Sequence, residues 1–403
     1  MITVEQAREI IAGAVKPTSA VENVPLSQAA GRVLAAPVLS DVDIPPFNRV
    51  TMDGYAIVSS DGPGKYEVCE YVPAGAFPKV ALTAGKVSRV MTGAPLPEGA
   101  DAVIQVEKTG GFVEVGKMAQ ILEKSASGLN VAKMGEDLRK GDLVLPAGTR
   151  LEFPEISALA AVGAEPVPVF RLPSVAVLAT GDELVPPSVK PQPGKIRDSN
   201  QYSLAAQLKA VGITPSLLGI AKDERDDLAQ KMAEGKKHDF LLISGGVSEG
   251  DRDYVPEALD KAGYKILFRN VRVRPGKPLT FGAADDGKYV FGLPGNPVST
   301  AVIFELFIRN ALALFEGDTP AGRLQVETTL FFNFKRKKGE REEYVPVNLV
   351  WRDGGFIAEK VRYQGSGHFH ALTAANGLIK VPVGVTEIAG GSKVEARFIR
   401  EGR

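Results

Sequence analysis

The sequence predicts a multidomain protein of the α/β plus β class. It combines a parallel-sheet α/β domain, an inserted β-rich domain, a helical linker region and a small C-terminal β domain. Three observations carry this expectation. The 403 residues exceed what one compact domain usually holds. Residues 173–317 alternate apolar runs of strand length with helical segments, and these runs lack the polar alternation of a half-exposed sheet. Residues 41–134 and 318–403 are written in short β-type runs separated by Gly and Pro.

The N-terminal TVEQAREIIAGAV places Ala7, Ile10, Ile11 and Val15 on one helical face, with Thr3 as N-cap and Glu5 in the first turn. A second short helix is expected from Leu26 through Leu34. Residues 41–134 then turn to runs such as KVSRVMT and ADAVIQVEKTG, a β-rich pattern. After GEDLRKGDLVLPAGTRL, the segment FPEISALAAVG reads as helix again. Residues 1–40 and 135–172 therefore form one discontinuous helical linker domain around the β-rich insert.

In 173–317, SVAVLATGDEL, TPSLLGIAKD, FLLISGG and KYVFGLPGNP read as strands. NQYSLAAQLKAVG (closed by Gly212), ERDDLAQKMAEGKK and DYVPEALDKAG read as the helices between them, and PVSTAVIFELFIRNALALFEG as a long apolar helix. Such alternation argues a parallel sheet covered on both faces. Residues 318–403 carry LQVETTLFFNFKRKKG, EYVPVNLVW, GFIAEKV, LIKVPVG and SKVEARFIR, which suit a small closed or sandwich-like β domain.

Composition narrows the function. Lys+Arg and Asp+Glu number 48 each, so no global field favours nucleic acid or an anionic membrane as partner. The single cysteine, Cys69, makes no intrachain disulfide and suits a reducing compartment. The N-terminus lacks a basic region followed by an apolar core, so no signal peptide is expected. No apolar run approaches the ~20 residues of a membrane span, and the expected location is cytoplasmic.

Three strand ends are chemically loaded: Thr180-Gly181-Asp182-Glu183, Ser244-Gly245-Gly246-Val247-Ser248, and Gly292-Leu293-Pro294-Gly295-Asn296-Pro297. Ligands of open α/β sheets bind outside such carboxyl ends, and glycines let backbone N–H groups approach an anion such as phosphate. Tight turns alone also use Gly and Pro. Glu183, Asp251 and Asp253, joined by Asp137 or Asp53 if folding brings them close, could hold Mg²⁺, which takes one or two carboxylates plus phosphate oxygens. Asp251 or Asp253 equally suits an N-cap before YVPEAL. RVRPGKPLTFG supplies Arg272, Arg274 and Lys277 as anion-gripping cations or as a solvated basic turn. His368 and His370 would share one side of an extended segment, but no further His or Cys completes a transition-metal set.

Several strings together resemble the MoeA family of molybdopterin molybdenumtransferases: PPFNRVTMDGYAI (45–57), MTGAPLPEGADAV (91–103), GED (135–137), TGDEL (180–184), IRDSN (196–200), SGGVSEGDRDY (244–254), RPGKP (274–278) and GLPGNPVS (292–299). The resemblance spans nearly the whole chain, in order. It implies a homodimer of four-domain subunits, with the active site between the sheet domain of one subunit and the inserted β domain of the other. It also implies the reaction: molybdate enters adenylylated molybdopterin at the dithiolene, Mg²⁺ assists cleavage of the adenylyl-phosphate bond, and AMP leaves as molybdenum cofactor forms.

The catalytic residues implied are Asp53, Thr92, Asp137, Glu183, Asp223 and Asp253. The substrate-binding residues would be Asp198, Asn200, Gly245, Gly246, Ser248, Arg274, Lys277, Pro294, Gly295, Asn296 and Pro297, and the metal ligands Glu183, Asp251 and Asp253. Asp53 and Thr92 enter only through the resemblance. The chain departs from the family pattern at Val50, where a Ser is usual, at Gln201 for Arg, at Arg274 for Lys, and at Ala371 for Ser. Val50 and Gln201 keep open a non-catalytic molybdopterin carrier or scaffold, or a tungstate-preferring paralogue.

Overall fold

The computed structural model describes residues 1–222, 224–246, 255–318 and 323–400. Two compact units emerge, one of residues 1–22, 31–33 and 168–403 and one of residues 23–30 and 34–167. Helix α1 (Val4–Ala14) opens the first unit. Thr3 Oγ1 accepts from the Gln6 N–H at 3.1 Å, and Gln6 Oε1 accepts from the Thr3 N–H at 3.0 Å, a reciprocal cap as the sequence suggests. The expected second helix stops at Leu26–Ala29, because Ala30 leaves helical dihedrals and Gly31 takes a φ of +78°.

The second unit contains a five-stranded sheet of β1 (Gly54–Ile57), β2 (Gly64–Val72), β3 (Lys86–Val90), β4 (Ala102–Gln105) and β5 (Met118–Ile121), in the order β4-β1-β3-β2-β5. Tyr55, Ile57, Val68, Val87, Ile104 and Ile121 form its buried face. A Cβ at Gly54 would stand 1.9 Å from the Ile104 carbonyl oxygen, so only glycine lets β1 lie against β4 there. Helix α2 (Phe153–Ala161) follows, where the sequence places it.

In the first unit, a six-stranded sheet carries β6 (Val175–Thr180), β7 (Ser216–Ala221), β8 (Phe240–Ser244), β9 (Lys265–Arg269), β10 (Thr280–Ala283) and β11 (Tyr289–Leu293), in the order β7-β6-β8-β11-β10-β9. The four strands read from sequence, β7, β6, β8 and β11, run parallel. The other two are antiparallel additions on one side. Both edge strands carry register breaks. One faces β7, where Gly219 sits at φ +80°, and the other lies between Ile266 and Phe268 of β9.

The period-2 alternation of buried strands feeds two layers. Val175, Val177, Phe240, Leu242 and Phe291 join Ala7 and Ile11 of α1, and Val15 just after it, on one face. Leu204 and Leu208 of α3 (Asn200–Lys209) pack into the same layer. On the opposite face, Ala176, Leu178, Leu241, Ile243 and Val290 meet Leu228 and Met232 of α4 (Arg225–Gly235) and Val255 and Leu259 of α5 (Val255–Lys261). Fully burying each such aliphatic side chain contributes about 1.5–3 kcal/mol. The long apolar helix is present as α6 (Pro297–Ile303), a π turn at Phe304–Ile308 and α7 (Arg309–Phe315). Among the described residues it alone is long and apolar enough to cross a membrane, but 78% of its most apolar window is buried inside the protein, as in a core helix.

At the other end of the sheet, Asp239 anchors the start of β8. It accepts from Arg171 Nη1 at 2.8 Å, from the Ser174 N–H and hydroxyl at 2.8 Å each, and from Lys288 Nζ at 3.1 Å. Burial pushes this carboxyl upward, but those donors outweigh it and hold the group far below the usual carboxylate range. A depressed carboxyl stabilises the fold fully above its unfolded pKa, and that stability is lost as pH falls toward its folded value. Asp239→Asn should therefore cost about 2–4 kcal/mol at pH 7. The gap from wild type should narrow as pH drops below about 3.9. Urea unfolding at pH 7 and pH 3 checks this; an equal gap at both would contradict it.

The C-terminal strands β12 (Gln325–Leu330), β13 (Glu342–Arg352), β14 (Gly355–Lys360), β15 (Gly377–Val381) and β16 (Lys393–Phe398) close into a barrel in the cyclic order β13-β14-β12-β16-β15. Closure resolves the choice between barrel and sandwich. The short segment Val273–Arg274 pairs parallel with β13 opposite Glu342 and Glu343, which carries Arg274 to the barrel wall.

Candidate active site

The sheet delivers the loaded strand ends side by side. Ala179 of β6 pairs with Ser244 of β8, and Ser244 pairs with Leu293 of β11, so Thr180, Gly245 and Pro294 leave the sheet at one level. Gly245 lies at φ +97°, and a Cβ there would stand 2.4 Å from the Thr180 carbonyl oxygen. Its N–H donates to the Leu293 carbonyl at 3.0 Å. A Cβ on Gly295 would reach the Gly245 Cα at 3.9 Å, so the two glycine turns adjoin. Gly246, also at positive φ, completes the turn.

Asn200, the first residue of α3, ties these ends together. Its Nδ2 donates to Ser244 Oγ and to the Gly295 carbonyl, each at 2.8 Å. Asp198 is buried and accepts from the Asn200 N–H at 3.0 Å and the Gln201 Nε2 at 2.7 Å. It therefore caps α3 and does not present its carboxylate outward. Pro294 and Asn296 offer their carbonyls to the Thr300 hydroxyl at 2.6 and 3.2 Å, which fixes the loop into α6. Pro297 starts that helix, and the Val298 N–H donates to the Ser366 carbonyl at 3.1 Å. Beside these turns, Thr180 Oγ1 and Asn200 Oδ1 are buried with no partner among the described residues, and a buried unsatisfied polar atom typically costs about 1–3 kcal/mol.

Glu183 is exposed. Gly181 has φ +139°, and a Cβ on it would meet the Glu183 carboxylate at 2.5 Å, so glycine is what lets that carboxylate fold back over the turn. Asp223, Ser248, Asp251 and Asp253 lie outside the described residues. Among the described residues, no group of three or more His, Cys, Asp or Glu side chains is placed to hold a metal ion. The 365–370 segment forms turns before a short helix (Ala371–Ala374), so His368 and His370 do not sit on an extended strand.

Lys277 is exposed, while Arg274 Nε reaches Glu343 at 3.3 Å. Glu343 is also held by Arg336 Nη1 at 3.1 Å, and Arg336 gives three further N–H groups to the Val385, Arg341 and Pro382 carbonyls. Arg274 lines a cleft of about 810 Å³ that also presents Lys335, Lys337, Lys338, Arg341 and Lys360. Tyr363, on the cleft wall, is pushed up to about 12 by burial and then by the Glu343 charge, so it remains a neutral O–H donor. In the sequence FKRKKG reads as the end of a β-type run, and its cations are the signal for this cleft.

In the second unit, Asp53 and Thr92 come together. The Thr92 N–H and hydroxyl both donate to Asp53 Oδ1 at 2.7 Å. Those two bonds hold the Asp53 carboxyl below its ordinary value. Among the described residues only Oδ1 accepts a hydrogen bond, and the residue is exposed, which leaves Oδ2 as a further acceptor. Asp137 is exposed in the same unit. Its N–H donates to the Ile44 carbonyl at 3.0 Å, and it bonds neither Asp53 nor Thr92.

Comparison with known proteins decides the family. Residues 2–163 match the MoeA N-terminal region (domain I and II), residues 176–314 a probable molybdopterin binding domain, and residues 332–398 the MoeA C-terminal region (domain IV). The chain belongs to the MoeA family. It is 36% identical over 389 residues to a molybdopterin molybdenumtransferase of Bacillus subtilis, covering 94% of this chain and 90% of that one. A protein of the same name from Nostoc is 36% identical over 384 residues, with 93% and 87% covered. The crystal structure of a molybdopterin biosynthesis MoeA protein from Pyrococcus horikoshii OT3 superposes with a TM-score of 0.83 at 30% identity, covering 99% of this chain and 100% of that chain.

Against the MoeA pattern, three of the four departures fall on buried side chains. Val50 packs with Ala56, Val72, Val90 and Val103. Gln201 spans Asp198 and the Gly219 N–H, accepting the latter at 3.2 Å. Ala371 packs with Val361 and Ala375. These inward positions are filled by packing and internal bonds.

Proposed function

We propose that the chain is a molybdopterin molybdenumtransferase that inserts molybdate into adenylylated molybdopterin with Mg²⁺-dependent release of AMP. The observation that carries this reading is the strand-tip cradle: two glycine turns at Gly245 and Gly295, tied by Asn200, beside the exposed carboxylate of Glu183. Backbone groups bared by glycine suit the phosphate of the substrate. Arg274 and Lys277 bring positive charge for the oxyanion. Asp53, set by Thr92, and Asp137 are the remaining described carboxylates of the catalytic set, which Asp223 and Asp253 complete.

The donor set fits Mg²⁺. Glu183 offers hard carboxylate oxygens, with Asp251 and Asp253 as its partners in this reading. When bound, the ion neutralises phosphate charge that the acids would otherwise repel. The protein works as a homodimer in the cytoplasm. A non-turnover carrier loses much of its motivation, because Val50 and Gln201 point inward.

Purified protein mixed with adenylylated molybdopterin and Mg²⁺, then titrated with molybdate or tungstate, should release AMP saturably with one oxyanion. Tight binding without release under either would favour the carrier. Glu183→Ala and Asp253→Ala should each reduce Mg²⁺-dependent AMP release about 100-fold while leaving thermal unfolding near wild type. An unchanged rate would remove that residue from the metal site.

A further inference from the structure

Among the described residues, two side-chain oxygens at the strand tips, Thr180 Oγ1 and Asn200 Oδ1, have no hydrogen-bond partner. Thr180 closes β6 at 2% exposure, and its hydroxyl is buried with no partner among the described residues. A strand position so enclosed is normally filled by valine, which has the same shape and no polar atom to satisfy. Asn200, at 8% exposure, is the second case. Its amide orientation is fixed, because Nδ2 donates to the Gly295 carbonyl, which can only accept. Its second N–H goes to Ser244 Oγ. What remains is Oδ1, an acceptor with no donor. Both groups bracket Gly245. The Thr180 hydroxyl lies 3.0 Å from where a Gly245 Cβ would be, and Asn200 grips Ser244, the residue before it.

We infer that the Thr180 hydroxyl and the Asn200 side-chain carbonyl form the ligand-reading floor of the strand-tip site and take hydrogen-bond donors from the bound molecule. The inference rests on the strand tips being the substrate site. It adds Thr180 to that site and assigns Asn200 two jobs, with its N–H groups holding the turns and its carbonyl reading the ligand. The chemistry is selective. An ionised phosphate oxygen offers lone pairs only and cannot complete the Asn200 carbonyl. The partner is an N–H or O–H of the organic part of the ligand, a ring or amino N–H or a sugar hydroxyl, all of which an adenylylated pterin carries. A site built to bond such a donor rejects analogues lacking it, since its buried acceptor then stays unpaired.

Thr180→Val separates this role from a structural one, because the hydroxyl bonds to none of the described residues. Without ligand, the variant should melt at or above the wild-type temperature. By equilibrium ultrafiltration it should bind adenylylated molybdopterin about tenfold more weakly, with binding of inorganic phosphate unchanged. Thr180→Ser, which keeps the hydroxyl, should restore the affinity. Wild-type affinity in Thr180→Val, a parallel loss of phosphate binding, or a lowered melting temperature would each overturn the inference while leaving the strand-tip reading standing. Failure of the wild type to bind either probe would remove both.

Discussion

Asp53→Asn should lower AMP release by about 100-fold or more at neutral pH without lowering the thermal midpoint. The substitution keeps the size of the side chain and an oxygen for the Thr92 donors, but it removes the charge. Thr92 directs both of its donors to a single oxygen and holds the carboxyl below its ordinary value, which keeps the group ionised at neutral pH. The companion variant Thr92→Val removes one donor and moves the Asp53 carboxyl back toward its ordinary value. A group needed in its ionised form then fails at a higher pH, so the acid limb of the rate profile should shift upward in Thr92→Val. The rate near neutral pH should fall much less than in Asp53→Asn. If Thr92→Val leaves the acid limb in place, Asp53 is not the group whose ionisation limits the rate.

The second large effect is expected on stability. Glu343→Gln should destabilise the protein by about 3 kcal/mol or more, because Arg336 would stay buried without its counter-charge. The Arg336 side chain is 3% exposed and the Glu343 side chain 6%, so solvent cannot compensate either. The same change frees Arg274, whose other tie to the barrel is the short parallel pairing of Val273–Arg274. The double variant Arg336→Met/Glu343→Leu should recover much of the loss, since it removes the buried charges as a pair. Urea unfolding of the three proteins decides the matter. A single variant as stable as wild type would mean the pair is dispensable.

What the sequence disclosed, and what it hid, follows from how far apart the partners lie. The buried parallel strands announced themselves as Val/Leu/Ile runs, and their glycine and acid tips were legible because such runs must end at polar turns. Strands β9 and β10 escaped notice, since KILFR and LTFGA carry no mark of strand direction. The Asp53–Thr92 pair joins residues 39 apart and leaves no local period, so only the family strings pointed to it. The helix expected through Leu34 was cut short by Gly31, whose left-handed backbone outweighs the helix-forming residues around it. Asp198 enters as a substrate-binding residue only through the IRDSN string of the family resemblance. Its burial as a cap becomes visible only when the Asn200 and Gln201 donors are placed around it.

The irregular edges of the six-stranded sheet bear on how the chain behaves when crowded. An open sheet ends in two rows of unpaired backbone groups, each a template for the edge of another molecule. Here β7 is interrupted beside Gly219, and β9 breaks register within its five residues, whose ends are Lys265 and Arg269. A flat strand from a neighbour would lose pairing at the break and meet a cation at either end. The barrel has closed its own edges. The protein thus guards the sheet that carries its strand tips against self-templated aggregation, the hazard that a long, apolar parallel core creates while it is still being assembled.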